Sequence, residues 1–376
     1  MFFNVKNLTL SHLSFSSTLN TNWLYFEQTY LIFLISDLLV IKSTSNPKAS
    51  IFLATFPAIP GVDLSYSGLI TGGAGYLGSV LTEILLNKQY QVTILDNLLY
   101  KQTSVAPLSH NPNLNFILGD VRNEELLKSL VEYHDVIIPL AAIVGMPACK
   151  ENPQLAIDVN FKQVDNIVKW MRPDQKLIIP NTNSQYGSSS EIITEDSPFK
   201  PLSLYAETKC DAEKAVLDSG NGIVLRLATV FGMSYRMRMD LLVQDFVYKA
   251  MTDGYLVLFE SHFIRNYIHV RDVANTFLFM IENYFSCNNN AFNVGLTSAN
   301  CTKLELASTI QQFIPDLVIV ENNFKQDFDQ RNYMVSNNKL ESQGWLPKFT
   351  LEDGIKELIK GYQLIKKFKD KDFTNL

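Results

Sequence analysis

From Leu69 onward, short apolar runs alternate with segments whose apolar residues recur at helical spacing. Leu69-Ile70 leads into Thr71-Gly72-Gly73-Ala74-Gly75-Tyr76-Leu77-Gly78. The stretch from Tyr76 to Leu86 then carries apolar residues at 77, 80, 81, 84 and 85, one face of a helix. Gln91-Val92-Thr93-Ile94-Leu95 reads as a second strand ending at Asp96. Asn115-Phe116-Ile117-Leu118, Asp135-Val136-Ile137-Ile138, Lys176-Leu177-Ile178-Ile179 and Gly222-Ile223-Val224-Leu225 read as further strands, with amphipathic segments at 123–132, 153–170 and 205–218 between them. Strict alternation of this kind predicts a parallel sheet covered by helices on both faces. Ligands then bind beyond the carboxyl ends of the strands.

After about residue 229 the rhythm breaks. Helical segments near 240–253, 271–285 and 302–314 mix with short strands and loops, and no internal repeat is visible. The expected division is a first domain over 67–230, a smaller lobe over 231–365 that interleaves with it, and a lysine-rich tail over 366–376. Residues 1 to about 66 stand apart: they hold six charged residues, no arginine, and much Ser, Thr, Asn and Phe. Trp23 to Ile41 is apolar but interrupted by Glu27, Gln28 and Asp37, a marginal span by the standard of roughly 20 mostly apolar residues. The segment lacks a secretory or transit pattern. Ser65-Tyr66-Ser67-Gly68 is also a poor start for a buried parallel strand. The leading expectation is upstream sequence joined at a wrong start or exon boundary; a poorly ordered extension comes second and a membrane anchor last.

Composition narrows the partners. The net charge of −6 and the absence of a basic run before Lys366 argue against nucleic acid. Cys149, Cys210, Cys287 and Cys301 are scattered without a C-x-x-C, which fits a reducing compartment and a cytoplasmic location. The five histidines show no metal-ligand spacing, so no metal is expected.

Glycines at 72, 75 and 78 fit G-x-x-G-x-x-G. Such a turn brings backbone close to a pyrophosphate at a helix N-terminus. Asp96 stands 21 residues past Gly75, where a ribose-binding carboxylate belongs. It should accept the ribose hydroxyls of NAD and repel a 2′-phosphate, and Asn97 beside it adds no cation to offset that repulsion. Tyr205 and Lys209 are spaced by four residues and share one helix face. Such pairs also arise by chance in helices. Their chemical reading is a phenol made basic by nearby positive charge, from Lys209 and an oxidised nicotinamide. Thr182, 23 residues before Tyr205 at a strand end, could hydrogen-bond the same substrate oxygen.

Taken in order, Thr71–Gly78, Asp96, Asp120-Val121, Ala141-Ala142, Thr182-x-x-x-Tyr186-Gly187, Tyr205-x-x-x-Lys209 and Arg226 resemble the extended short-chain dehydrogenase/reductases, the NAD-dependent epimerase/dehydratase family acting on nucleotide sugars. The resemblance covers about residues 68 to 362. It implies an α/β fold: a Rossmann-type doubly wound parallel sheet with a smaller mixed α/β C-terminal substrate lobe. It implies NAD held by Gly72, Gly75, Tyr76, Leu77, Gly78, Asp96, Asn97, Asp120, Val121, Ala141, Ala142, Tyr205 and Lys209. It implies a catalytic set of Thr182, Tyr205 and Lys209, hydride transfer at a sugar carbon, and a homodimer through helices that include the Tyr205 one. A catalytically dead relative that senses NAD(H) is the alternative from a different class.

Three runs, Asn181–Gly187, Leu225–Met233 and Arg265–Asp272, are similar to one subgroup. That subgroup includes enzymes that oxidise C4 of GDP-linked manno-heptose for surface polysaccharides; an epimerase that re-reduces the ketone is the other outcome. Two departures matter. The family's 4,6-dehydratases carry Asp-Glu where Asn183-Ser184 stands here, and an amide and a hydroxyl cannot do that acid–base work. Thr229 replaces an Asn that contacts the substrate diphosphate in several members. Ser184, Thr229, Arg265 and Arg331 are the expected substrate contacts, the two arginines through phosphate oxygens. His269 reads equally as a structural histidine or a substrate ligand, and Met146 and Cys149 as core or pocket lining.

Overall fold

The computed structural model describes residues 66–322 and 331–365. The expectations for residues 1–65 and for the tail from 366 lie outside the described residues. The chain runs β1 (Ser67–Thr71), α1 (Tyr76–Asn87), β2 (Gln91–Asp96), β3 (Leu114–Leu118), α2 (Glu124–Tyr133) and β4 (Val136–Pro139). There follow α3 (Met146–Glu151), α4 (Pro153–Ile157), a π-helical turn (Asp158–Lys162), α5 (Gln163–Trp170), β5 (Lys176–Thr182), β6 (Ile192–Ile193), α6 (Leu204–Asp218) and β7 (Ile223–Leu227). The second half contains β8 (Thr229–Phe231), α7 (Leu242–Thr252), β9 (Tyr255–Phe259), β10 (Ile264–His269), α8 (Val270–Glu282), α9 (Tyr284–Cys287), β11 (Asn290–Val294), β12 (Asn300–Thr302), α10 (Lys303–Phe313), β13 (Val318–Asn322), β14 (Met334–Val335), α11 (Asn338–Glu341) and α12 (Leu351–Leu364).

Seven strands form one parallel sheet in the order β11-β7-β5-β4-β1-β2-β3. The order reverses at β1, which pairs with both β2 and β4, the kind of switch point at which a crevice opens. Adjacent strand residues face opposite ways. Ile70, Ile94, Ile138 and Ile178 pack with α1 and α8, while Leu69, Leu95, Ile137 and Ile179 pack with α2, α5 and α6. This doubly wound sheet matches the expected fold class. α8 and β11 lie beyond residue 231 yet complete its layers.

The Ser67-Gly68 start of β1 is less weak than its composition suggests. The Ser67 N–H and hydroxyl both donate to the Asp135 carboxylate, at 3.0 and 2.9 Å. The amphipathic segment 153–170 is not one regular helix, because the π-turn widens it in the middle. A further hydrophobic core, in the second half, centres on Phe231, Val243, Phe246, Leu256, Tyr267, Leu306, Ile310 and Ile355. The small sheets of this half pair β8, β10 and β12, then β9 with β13. A further pair joins β6 to β14.

Candidate active site

The first βα turn needs its glycines for steric reasons. Gly72 has φ +68°, and a Cβ there would lie 2.6 Å from the Ala141 nitrogen. A Cβ on Gly78 would lie 2.6 Å from the Gly72 carbonyl oxygen and the Gly73 Cα. Gly75 is the N-cap of α1 and supplies no side-chain cap, so the N–H groups of the first turn are left for an anion. Asp96 ends β2 and is 7 % exposed. It accepts from the Ala74 and Leu98 amides at 3.0 and 2.8 Å and from Gln102 Nε2 at 3.3 Å. Burial pushes its carboxyl up, and those amides and the nearby Arg236 pull it back. Asn97 donates to Asp120 at 3.0 Å, and Arg122 forks onto the same carboxylate at 2.9 and 2.8 Å. That fork holds Asp120 well below the usual carboxylate range.

The π-turn explains how the loop after β4 is shaped. Asn160 bonds the Ile143 amide at 2.8 Å and its carbonyl at 3.0 Å, and reaches Thr208 on α6. Gln163 donates to the Ala141 carbonyl and accepts from the Thr71 hydroxyl. One extra residue in the turn thus aims two amides at Ala141–Ile143; π-bulges often occur at functional sites.

Tyr205 and Lys209 stand one turn apart on α6, whose N-cap Ser203 accepts from Ala206. Thr182 ends β5, donates to the Ser184 hydroxyl at 2.9 Å and lies in hydrogen-bonding reach of the Tyr205 phenol. Burial pushes Tyr205 up to about 12, and Arg238, Arg331 and Thr182 pull the other way. Burial pushes Lys209 down to about 8, and its ammonium donates to the Pro180 carbonyl at 3.1 Å. Arg238 and Arg331 thus add positive charge on the phenol that sequence spacing, which singled out Lys209, did not point to. Arg331 also donates to Ser184. Arg265, 2 % exposed, donates to the Ile264 carbonyl and lies 5.7 Å from the Tyr333 ring centre.

The residues expected to hold catalytic, cofactor or substrate roles all line one cavity of about 1000 Å³: Gly72, Gly75, Tyr76, Leu77, Gly78, Asp96, Asn97, Asp120, Val121, Ala141, Ala142, Thr182, Ser184, Tyr205, Lys209, Thr229, Arg265 and Arg331. Met146 lines it too. His269 is fully buried, stacks on Phe349 and bonds Glu357 at 2.6 Å, which is the structural reading. The Cys149 thiol is buried and donates to the Ile143 carbonyl at 3.3 Å. Asn183 is buried and its amide finds no hydrogen-bond partner. Sequence reasoning missed Tyr100, Arg236, Arg238, Lys303 and Tyr333, which also line the cavity. Arg236-x-Arg238 directly follows a run that carried the resemblance, and two close arginines were the available signal.

The chain matches the family model described as "NAD dependent epimerase/dehydratase family" over residues 68–295. It is 26 % identical over 312 residues to UDP-glucuronic acid decarboxylase 1 of Arabidopsis thaliana, covering 78 % of this chain and 69 % of that one. It is 24 % identical over 328 residues to CDP-paratose 2-epimerase of Salmonella typhi, covering 77 % and 97 %. The structure superposes on UDP-glucuronic acid 4-epimerase from Bacillus cereus, a complex with UDP-glucuronic acid and NAD, with a TM-score of 0.71, 22 % identity and coverage of 80 % and 99 %. At that identity the likeness speaks to the fold. The glycine cradle, the uncapped α1 N-terminus and the Asp96 carboxylate fit a dinucleotide. The chain belongs to the NAD-dependent epimerase/dehydratase family, and NAD is its cofactor.

Proposed function

We propose that this enzyme oxidises a hydroxyl-bearing carbon, C4, of a nucleotide-linked sugar. The observation that carries the reading is the convergence of Thr182, Tyr205 and Lys209 with the Gly72–Gly78 turn and Asp96 in one cavity. NAD supplies the hydride acceptor when bound. Tyr205 takes the proton from the sugar hydroxyl as the C–H hydride leaves, and Thr182 hydrogen-bonds the same oxygen. Lys209 holds ribose hydroxyls. Arg265 and Arg331 take the substrate diphosphate, and Ser184, bridging Thr182 and Arg331, links that anion site to the catalytic end. Thr229 lines the same wall. Asn183 and Ser184 give no acid–base pair for expelling water, so the reaction stops short of dehydration.

Two fates follow for the ketone. Release makes the protein a dehydrogenase, the outcome supported by the subgroup runs, with GDP-manno-heptose as the first substrate to try. Re-reduction from the other face makes it an epimerase, an outcome supported by the likeness to several epimerases. Purified protein incubated with GDP-manno-heptose, and in parallel with UDP-glucose and UDP-glucuronic acid, decides by mass spectrometry and NMR. A product lighter by two hydrogens supports the dehydrogenase. An isomer of unchanged mass supports the epimerase, and no turnover of any sugar removes the C4 reading. A homodimer through α6 belongs to the same proposal, with sedimentation as its check.

A further inference from the structure

The ten residues from Gly232 to Leu241 leave β8 and cross from the substrate lobe to the first two turns of α1. Their attachment is dense. The Tyr76 hydroxyl donates to the Gly232 carbonyl at 2.7 Å and accepts from Gln244 at 2.9 Å. The Ser234 hydroxyl donates to the Tyr76 carbonyl at 2.6 Å and lies 3.1 Å from the Ser79 hydroxyl. The Tyr235 hydroxyl donates to Glu83 at 2.6 Å. The strap is thus tied to the same helix start whose free N–H groups face an anion.

Tied in this way, the strap carries two guanidinium groups into the cavity. Arg236 and Arg238 are 7 % and 9 % exposed. Arg236 lies 4.5 Å from the centre of the Tyr100 ring and within electrostatic reach of Asp96, the ribose end of the cofactor's path. Arg238 forks onto Asp240 and lies within reach of Tyr76 and Tyr205, the reacting end. NAD bound from Asp96 to Tyr205 would pass its diphosphate between those two ends. The two guanidinium groups act on each other as like charges. An anion set against both relieves that repulsion, and a guanidinium fork matches phosphate oxygens. Arg265 stands beside Tyr333, and Arg331 donates to Ser184. The cavity therefore holds four arginines, and a nucleotide-sugar reaction with NAD brings two diphosphates.

We propose that Arg236 and Arg238 hold the diphosphate of NAD from the substrate-lobe side, opposite the α1 N-terminus, and so make the Gly232–Leu241 strap a clamp on the cofactor. The inference rests on NAD binding and is independent of the sugar. Its test is calorimetric titration of the full-length protein with ADP-ribose, adenosine and GDP, for the parent and the R236Q/R238Q double variant. The assignment expects ADP-ribose affinity to fall about tenfold or more, with adenosine and GDP within about twofold of the parent. Unchanged ADP-ribose affinity overturns it. So does a loss confined to GDP, which moves the pair to the substrate, and so does an equal loss for all three probes, which makes the arginines a support of the fold. Failure of the sugar-oxidation reading leaves these binding ratios untouched.

Discussion

The carboxylate of Glu213, on α6 one turn beyond Lys209, accepts Arg226 Nε at 3.1 and 3.3 Å through its two oxygens, and both side chains are almost wholly buried. Asn181 joins this pair to the rest of α6: its amide donates to the Lys209 carbonyl at 3.1 Å and to Glu213. Arg226 also donates to Tyr186 and to the Glu195 carbonyl. The strand end that carries Thr182 and the helix that carries Tyr205 are thus fixed to each other from below.

Removing one member of such a pair strands a buried charge. Glu213→Ala is expected to destabilise the protein by about 3–5 kcal/mol, the cost typical of breaking a buried ion pair. Glu213→Gln should cost less, because the amide keeps an acceptor for Arg226. Urea unfolding midpoints check both; equal losses, or no loss in the alanine variant, contradict the account.

Tyr205 is the expected proton acceptor. Tyr205→Phe should lower turnover by orders of magnitude while NAD affinity stays within a few-fold. Unchanged turnover would remove the catalytic assignment and leave the non-catalytic NAD-binding reading standing.

The phenol of Tyr205 sits near 12 in the protein without cofactor, so it is neutral at physiological pH. A positively charged nicotinamide beside it favours the phenolate, and the reduced ring does not. Ultraviolet difference titration, with Tyr205→Phe as the blank, should show this tyrosine ionising at lower pH in the NAD⁺ complex than in the NADH complex. Identical titrations in the two complexes count against Tyr205 as the base.

Lys209 gives a stability prediction with a definite sign. Its ammonium is pushed down to about 8 from the ordinary 10.5 by burial. Below about 8 both folded and unfolded chains carry the proton, and the folded state bears the full cost of burying it. Between about 8 and 10.5 the unfolded chain binds more protons, so stability rises with pH. Lys209→Met should therefore be more stable than the parent at neutral pH by roughly 1–3 kcal/mol, with an advantage that shrinks as pH climbs through that window. It should also be inactive. Thermal unfolding across pH measures the gap; a destabilised methionine variant refutes the burial argument.

NAD should be preferred over NADP through Asp96. The structure revises the reason given by sequence: Asn97 adds no cation, yet Arg236 reaches the same neighbourhood from a distant loop. Asp96→Asn should shrink the ratio of kcat/KM for NAD over NADP, because the carboxylate that repels a 2′-phosphate is gone. A ratio unmoved by the substitution would show that the pocket's shape, and not the carboxylate, does the discriminating.

The sequence by itself determined the sheet, the turn and the helix that carries Tyr205 and Lys209. Alternating apolar runs specify strands buried on both faces, glycines at 72, 75 and 78 specify a turn where a Cβ would strike backbone, and Tyr205 and Lys209 share a face by helical period. Such features depend on neighbours within one or two turns of chain, so local spacing reports them. Tertiary structure decided what arrives from elsewhere. The π-turn at Asp158–Lys162 follows from contacts of Asn160 and Gln163 with Ile143, Ala141 and Thr71, which no periodicity records. The Ser67-Gly68 strand start holds because Asp135, 68 residues on, accepts from Ser67. Arg236 and Arg238 reach Asp96 and Tyr205 because Tyr76, Ser79 and Glu83 bind their loop across the cleft. Charge placement over such separations is set by packing, and a single sequence holds it only as residues whose partners are not yet known.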